Sequence, residues 1–211
     1  IKQICNHPAH FLDDGSEMTH RGKHRSGKVA KLMEIVNAAM LSNRRVLIFT
    51  QYRAFGTMLQ KYLAERTGTD IPFLHGGVPQ KKRTEMVAEF QSEGGPPIFI
   101  LSLKAGGTGL NLTAATEVVH MDRWWNPAVE NQATDRAYRI GQNSDVHVYK
   151  MVAAGTLEEK IQKVLEDKTK LAGSVVGTGE GWITELNPQQ LSELMAYRSE
   201  AERTAQDVKR F

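Results

Sequence analysis

Apolar residues along this chain switch between two spacings. From Ser26 onward, Val29, Leu32, Met33, Val36, Ala39 and Met40 recur at helical intervals, and Ser26 stands where a helix cap is wanted. Short runs rich in branched and aromatic residues then follow at Val46-Leu47-Ile48-Phe49, Ile71-Pro72-Phe73-Leu74, Ile98-Phe99-Ile100-Leu101, Val118-Val119-His120-Met121 and Val146-His147-Val148-Tyr149. These predict strands, mostly buried on both faces. Helical spacing returns at about 53 to 66, 79 to 92, 127 to 139 and 157 to 171. Strand and helix alternate, so the expected class is α/β: a central, mostly parallel sheet with helices on both faces.

The flanks read differently. Residues 9–25 are polar, with Asp13-Asp14-Gly15-Ser16 and a His/Arg/Lys run, and are expected to form a mobile linker. Ahead of them, Ile1 to Pro8 reads as the end of a helix stopped near Pro8, because proline disfavours helical geometry in the residue before it. Opening on Ile1 and not on Met, the chain is expected to be a fragment. Beyond Gly173, the stretch Gly177-Thr178-Gly179-Glu180-Gly181 breaks the pattern, and Asn187-Pro188 opens a short helix expected to end near Arg198 before a frayed tail.

Composition narrows this modestly. With 211 residues, 40% hydrophobic and 24% charged, the chain is long enough for one substantial core. The 27 Lys and Arg against 24 Asp and Glu leave a net charge of +3, which tolerates a polyanionic partner without requiring one. Cys5 is the single cysteine, which excludes an internal disulfide and suits a reducing compartment. Nothing approaches the roughly 18 apolar residues of a membrane span, so an intracellular location and no membrane partner are expected. Cys5, His7, His10, His20 and His24 have the right chemistry for zinc, but their spacing fits no standard zinc module.

The chemistry concentrates after the strands. In Gln132-Ala133-Thr134-Asp135-Arg136-Ala137-Tyr138-Arg139-Ile140-Gly141-Gln142, two arginines three apart are expected to share one helix face, with Asp135 placed to hold one of them. Arginine offers a planar, permanently charged fork, so a convergent pair suits the spread negative charge of a phosphoryl-transfer transition state. An exposed helix with ordinary surface charge would carry the same residues. Upstream, Lys104-Ala105-Gly106-Gly107-Thr108-Gly109-Leu110-Asn111-Leu112 follows a buried strand, where α/β sheets bind ligands. Its glycines would let backbone approach a phosphate of nucleotide or nucleic acid, although a plain tight turn has the same composition. Asp122-Arg123-Trp124-Trp125-Asn126-Pro127 puts two indoles at another strand end, one of which can pack inward while its neighbour meets nucleic acid. Thr50-Gln51-Tyr52 and His75-Gly76-Gly77, the latter followed by Lys81-Lys82-Arg83, end two more strands.

A phosphate-binding loop, Gly, four residues, then Gly-Lys-Ser/Thr, is missing; Ser26-Gly27-Lys28-Val29 imitates only its end. No Asp-Glu strand end for magnesium is present either. A complete small nucleotide-binding enzyme is therefore disfavoured. A non-catalytic domain whose arginines only touch phosphates would instead show tight, salt-sensitive DNA binding by itself.

In this order, Cys5-Asn6-His7-Pro8, Val46 to Tyr52, His75-Gly76-Gly77, Lys104 to Leu112, Asp122 to Pro127 and Asp135 to Gln142 resemble the second lobe of superfamily-two helicase-like ATPases. The Trp-Asn-Pro and Arg-Ile-Gly-Gln elements resemble the Swi/Snf group of DNA translocases in particular. The resemblance implies an inter-lobe helix end and linker over 1–25, a RecA-like lobe over 26–172 and a C-terminal extension over 173–211. It implies that Arg136 and Arg139 act as arginine fingers, with Gln132 in support, on ATP with Mg2+ held mainly by an N-terminal lobe that this chain does not contain. Gly107, Gly109, Asn111 and Asp135 would face the nucleotide. Thr50, Gln51, His75, Gly76, Arg83, Lys104 and Trp125 would meet the backbone of double-stranded DNA, which positions without reading sequence. The family commonly has one Trp before Asn-Pro, so which of Trp124 and Trp125 meets DNA stays open. Trp182-Ile183-Thr184-Glu185-Leu186 resembles the tail of bacterial members, implying cytoplasm and nucleoid, naked DNA or displaced DNA-bound proteins; a eukaryotic member would be nuclear. Alone, such a lobe is expected not to hydrolyse ATP.

Overall fold

The computed structural model describes residues 2–102, 110–124, 127–139, 142, 144–171 and 187–196. Five strands form one parallel sheet: β3 (Arg45–Thr50), β4 (Phe73–Leu74), β5 (Ile98–Ser102), β6 (Ala115–His120) and β7 (His147–Lys150). Their order is β4-β5-β3-β6-β7, so the most apolar strands, β3 and β5, lie inside and β4 and β7 form the edges. Strand geometry sends alternate side chains to opposite faces. Val46 and Ile48 accordingly join a core with Val29, Leu32 and Val36 of α3 (Gly27–Leu41) and Phe55, Leu59 and Leu63 of α4 (Arg53–Thr67). Leu47 and Phe49 face the other way, onto Phe90 of α5 (Gln80–Gln91), Ala133 of α6 (Pro127–Thr134) and Ala137. This is the expected sheet with helices on both faces, a RecA-like lobe.

The contact between α4 and β4 depends on a glycine. A Cβ on Gly56 would lie 2.2 Å from Cζ of Phe73, so only a residue without a side chain lets the helix sit this close to the strand.

The flanks depart from expectation. The segment read as a mobile linker is built: α1 (Lys2–Asn6) turns at His7 into α2 (Pro8–Leu12), followed by an antiparallel hairpin of β1 (Thr19–His20) and β2 (Lys23–His24). His7 holds the two parts together. Its Nδ1 accepts from the Ala9 N–H at 3.1 Å, capping α2, while its Nε2 meets the Met18 carbonyl at 3.0 Å. Ala9, His10 and Met18 are buried, and two apolar anchors with one histidine are too few to register in a polar stretch. Ser26 precedes α3 but makes no cap bond; its hydroxyl donates to the Asn6 carbonyl at 2.6 Å and ties α1 to the lobe. Edge strand β7 is largely exposed, not buried on both faces. At the far end, α7 (Leu157–Leu171) matches the expected span, and α8 (Pro188–Met195) stops short of Arg198. The boundary at Gly173 lies outside the described residues.

Candidate functional site

The carboxyl ends of parallel strands all open on one side of the sheet, and there the polar chemistry collects. Asp122, just past β6, is the hub between β3 and β6. Its carboxylate accepts from the Thr50 hydroxyl (2.6 Å), the Gln51 N–H (3.1 Å) and the Asn6 amide (3.2 Å). Thr50 also accepts from the Tyr52 N–H at 3.2 Å and is fully buried, so it braces this turn and does not offer its hydroxyl at the surface as a DNA contact would. Gln51 is half-buried, with its side-chain amide on the Arg123 carbonyl at 3.2 Å. Lys28, the lysine of the false phosphate loop, is buried against Glu158 at 2.6 Å and also donates to Asn6 and to the Met121 carbonyl; it is structural.

A second buried cluster orients the start of α6. Glu130 accepts from Arg123 Nε at 2.8 Å and Nη2 at 3.3 Å, from the Trp124 N–H at 2.9 Å, and lies 3.2 Å from Lys150. Burial works against the Glu130 charge, but these bonds and the two cations outweigh it and hold the carboxyl below its usual range. Arg123 reaches on to Gln162 of α7 at 2.8 Å. Trp124 is half-buried and packs against the Leu47 and Phe49 core. Trp125 lies outside the described residues.

Helix α6 ends at Thr134, earlier than its periodicity suggests. Arg136 and Arg139 therefore stand in the following turn and do not share a helix face. Arg136 is buried. Its carbonyl accepts from the Leu112 N–H at 2.9 Å, and Gln142 staples the same turn by donating to the carbonyls of Thr113 (3.0 Å), Ala115 (3.1 Å) and Ala137 (3.3 Å). Among the described residues nothing accepts from Arg136 Nη1, and burial lowers the pKa of this guanidinium from its ordinary value. Arg139, Gln132, Asp135 and Asn111 are exposed, and no ion pair joins Asp135 to either arginine among the described residues. Lys104, Gly107 and Gly109 lie outside the described residues.

At the edge formed by β4, Arg83 clamps a turn. Its Nε donates to the Val78 carbonyl at 2.7 Å and its Nη2 to the Gly76 carbonyl at 3.1 Å. His75 Nδ1 accepts from the Gly77 N–H at 3.1 Å, and its ring lies against Phe73. Burial, then the nearby charges of Arg53 and Arg83, push the His75 pKa down. Gly76, Arg53, Lys81 and Lys82 are exposed around it. The Arg136 turn, in contrast, is tied to Leu112 and, through Gln142, to Thr113 and Ala115, the residues that lead into β6.

The reading from sequence missed Glu130 and the anchoring role of Gln142. Glu130 carried a signal: with Ala133 and Ala137 it falls on the inward stripe of a helix, where an acid must be paired.

The helicase conserved C-terminal domain matches residues 27–141. YwqA of Bacillus subtilis (strain 168), which carries the name of an ATP-dependent helicase/translocase, is 50% identical over 202 residues, 96% of this chain and 22% of that protein. The human chromatin-remodeling ATPase INO80 is 36% identical over 178 residues, 84% of this chain and 11% of its own length. The Sulfolobus solfataricus SWI2/SNF2 ATPase core in complex with dsDNA superposes with a TM-score of 0.78 at 39% identity, over 94% of this chain and 40% of that one. The C-terminal domain of that ATPase gives 0.75 at 38% identity, over 94% and 78%. This chain belongs to the helicase conserved C-terminal domain family, and within it to the C-terminal lobes of the SWI2/SNF2 ATPases. It spans less than a quarter of the length of these curated relatives. Among the described residues no helix is long and apolar enough to cross a membrane.

Proposed function

We propose that this chain is the second motor lobe of an intracellular, DNA-dependent ATPase that translocates on double-stranded DNA and displaces proteins bound to it. ATP with Mg2+, held mainly by an N-terminal lobe of the same protein, supplies the phosphoryl group. Arg136 and Arg139 place positive charge against that group when the lobes close, with Gln132 beside them. The observation that carries this reading is the Arg136 side chain: buried, its backbone pinned, and its Nη1 without an acceptor among the described residues. A desolvated guanidinium is costly unless an anion completes it, and a phosphate oxygen delivered by an opposing lobe does so. Asn111 and Asp135, with Gly107 and Gly109, would border the nucleotide.

On the DNA side, the exposed Gly76 with the half-buried Gln51 and His75 present backbone and side-chain groups on the rim, with Lys104 and Trp125 proposed beside them. Thr50 and Arg83 contribute by holding those turns, as their internal bonds favour. The similarity to an ATPase core solved with dsDNA supports this partner. The test is ATP turnover with and without duplex DNA, by this chain alone and by the longer protein. Turnover is expected only in the longer protein; DNA-stimulated hydrolysis by this chain alone would overturn the two-lobe reading.

A further inference from the structure

We infer that His120 is a positioning residue for the arginine turn: it locks the end of α6 to the carboxyl end of β6 and thereby sets where Arg136 stands.

His120 closes β6, in register with Phe49 on β3 and Lys150 on β7, so strands on both sides fix its backbone. The side chain is fully buried, and its ring stacks on Phe49 with centroids 5.2 Å apart and planes 20° apart. From this held position Nε2 lies 3.0 Å from the Thr134 hydroxyl. That hydroxyl donates its own proton to the Glu130 carbonyl at 3.1 Å, leaving a lone pair for His120. Nε2 therefore carries the imidazole proton and donates, while the buried Nδ1, which has no partner among the described residues, is the bare nitrogen. A polar side chain interrupts the apolar run Val118-Val119-His120-Met121, and this one bond is what it gains.

Thr134 is the last residue of α6, and the path from it to Arg136 has no slack. Asp135 N–H donates to the Asn131 carbonyl at 2.8 Å, Arg136 N–H to Ala133 at 3.3 Å and Ala137 N–H to Thr134 at 3.0 Å. Arg136 is caught from the far side by the Leu112 N–H on its carbonyl. Glu130 holds the middle of α6; His120 holds its end. Among the described residues it is the sheet's side-chain bond to the last turn of that helix. The arginine turn is thus hung between two anchors, one of which is an imidazole.

The catalytic consequence rests on the finger reading of Arg136, whereas the anchoring does not, and the test separates them. In the longer ATPase, Thr134→Val keeps shape and removes the acceptor, and His120→Leu removes the donor. Each is expected to raise hydrogen exchange at the Leu112 amide about five- to tenfold, the worth of one net hydrogen bond, and to lower kcat about tenfold with nucleotide affinity within about twofold. Thr134→Ser and His120→Gln, which restore a hydroxyl and an N–H, are expected to recover both. Should His120→Leu fail to fold, Thr134→Val carries the test. A folded Thr134→Val protein with unchanged Leu112 exchange and unchanged kcat overturns the proposal, even if its melting temperature falls. If exchange rises while Arg136→Ala retains full turnover, the anchor stands and the finger reading fails.

Discussion

The Thr50 hydroxyl and the Asp122 carboxylate lie 2.6 Å apart, both buried, and close the ends of two neighbouring strands onto each other. Asp122 also gathers the Gln51 N–H and the Asn6 amide, so one carboxylate joins β3, β6 and α1.

Losing it should therefore cost more than losing any one partner. Asp122→Ala strands three donors in a buried setting and is expected to destabilise the lobe by about 3 kcal/mol or more, against about 1 to 2 for Thr50→Val. Urea unfolding measures both. Thr50→Val should also leave the slope of log DNA affinity against log salt unchanged, because Thr50 positions a turn and neutralises no phosphate.

His120 makes stability depend on acid. Burial, opposed by Glu130 and reinforced by Lys150 and Arg123, lowers its pKa from an ordinary 6.5 to about 4. The unfolded chain thus takes up this proton at a higher pH than the folded one. The stabilisation is complete above about 6.5 and is lost as pH falls from there towards 4, amounting to about 3 kcal/mol over that window. His7 and His10, whose pKa values burial also lowers, act in the same direction. Urea unfolding from pH 7 to 4.5 should show the decline, and His120→Leu should flatten part of it.

Much of this fold is legible in sequence because buried parallel strands are written as continuous apolar runs, as in Val46 to Phe49 and Ile98 to Leu101. The edges and joins are not. Val146 to Tyr149 has the same apolar look, yet its strand is an exposed edge, which is a matter of sheet order and not of the run itself. The hairpin before α3 escapes notice because His7 and Met18 secure it through individual bonds in a polar stretch. At the site, motif spacing brings out Arg136 and Arg139 but misplaces them on a helix, since the end of α6 is set by His120 and Leu112, partners 14 and 24 residues upstream of Thr134 and Arg136. Periodicity cannot report such long-range bonds.

Arg83 offers a sharper distinction between contact and support. Its bonds to the Val78 and Gly76 carbonyls use the directional fork of a guanidinium, which an ammonium does not reproduce. Arg83→Lys and Arg83→Ala should both weaken duplex DNA binding by the longer protein, several-fold, through a loosened His75 turn. Titrations at several salt concentrations check this: a supporting residue leaves the salt slope in place, while a direct phosphate contact lowers it by about 1.

The two arginines of the turn should not respond alike. Arg136 is buried and held by backbone bonds on both sides, whereas Arg139 is exposed and its side chain is free to adjust. An arginine finger is worth about 10³ to 10⁵ in rate, or roughly 4 to 7 kcal/mol of transition-state stabilisation. Arg136→Ala in the longer protein is therefore expected to lower kcat at least about 10³-fold, with nucleotide affinity little changed because the N-terminal lobe holds most of the nucleotide. Arg136→Lys should fall nearly as far, since the rigid site cannot shift to meet an ammonium. Arg139→Lys should retain more activity than Arg136→Lys, because an exposed side chain can move its charge into place. Steady-state kinetics with and without duplex DNA, beside nucleotide binding and melting temperature, would resolve these. Near-normal DNA-stimulated turnover in both alanine variants, with the fold intact, would remove the arginine turn from the mechanism.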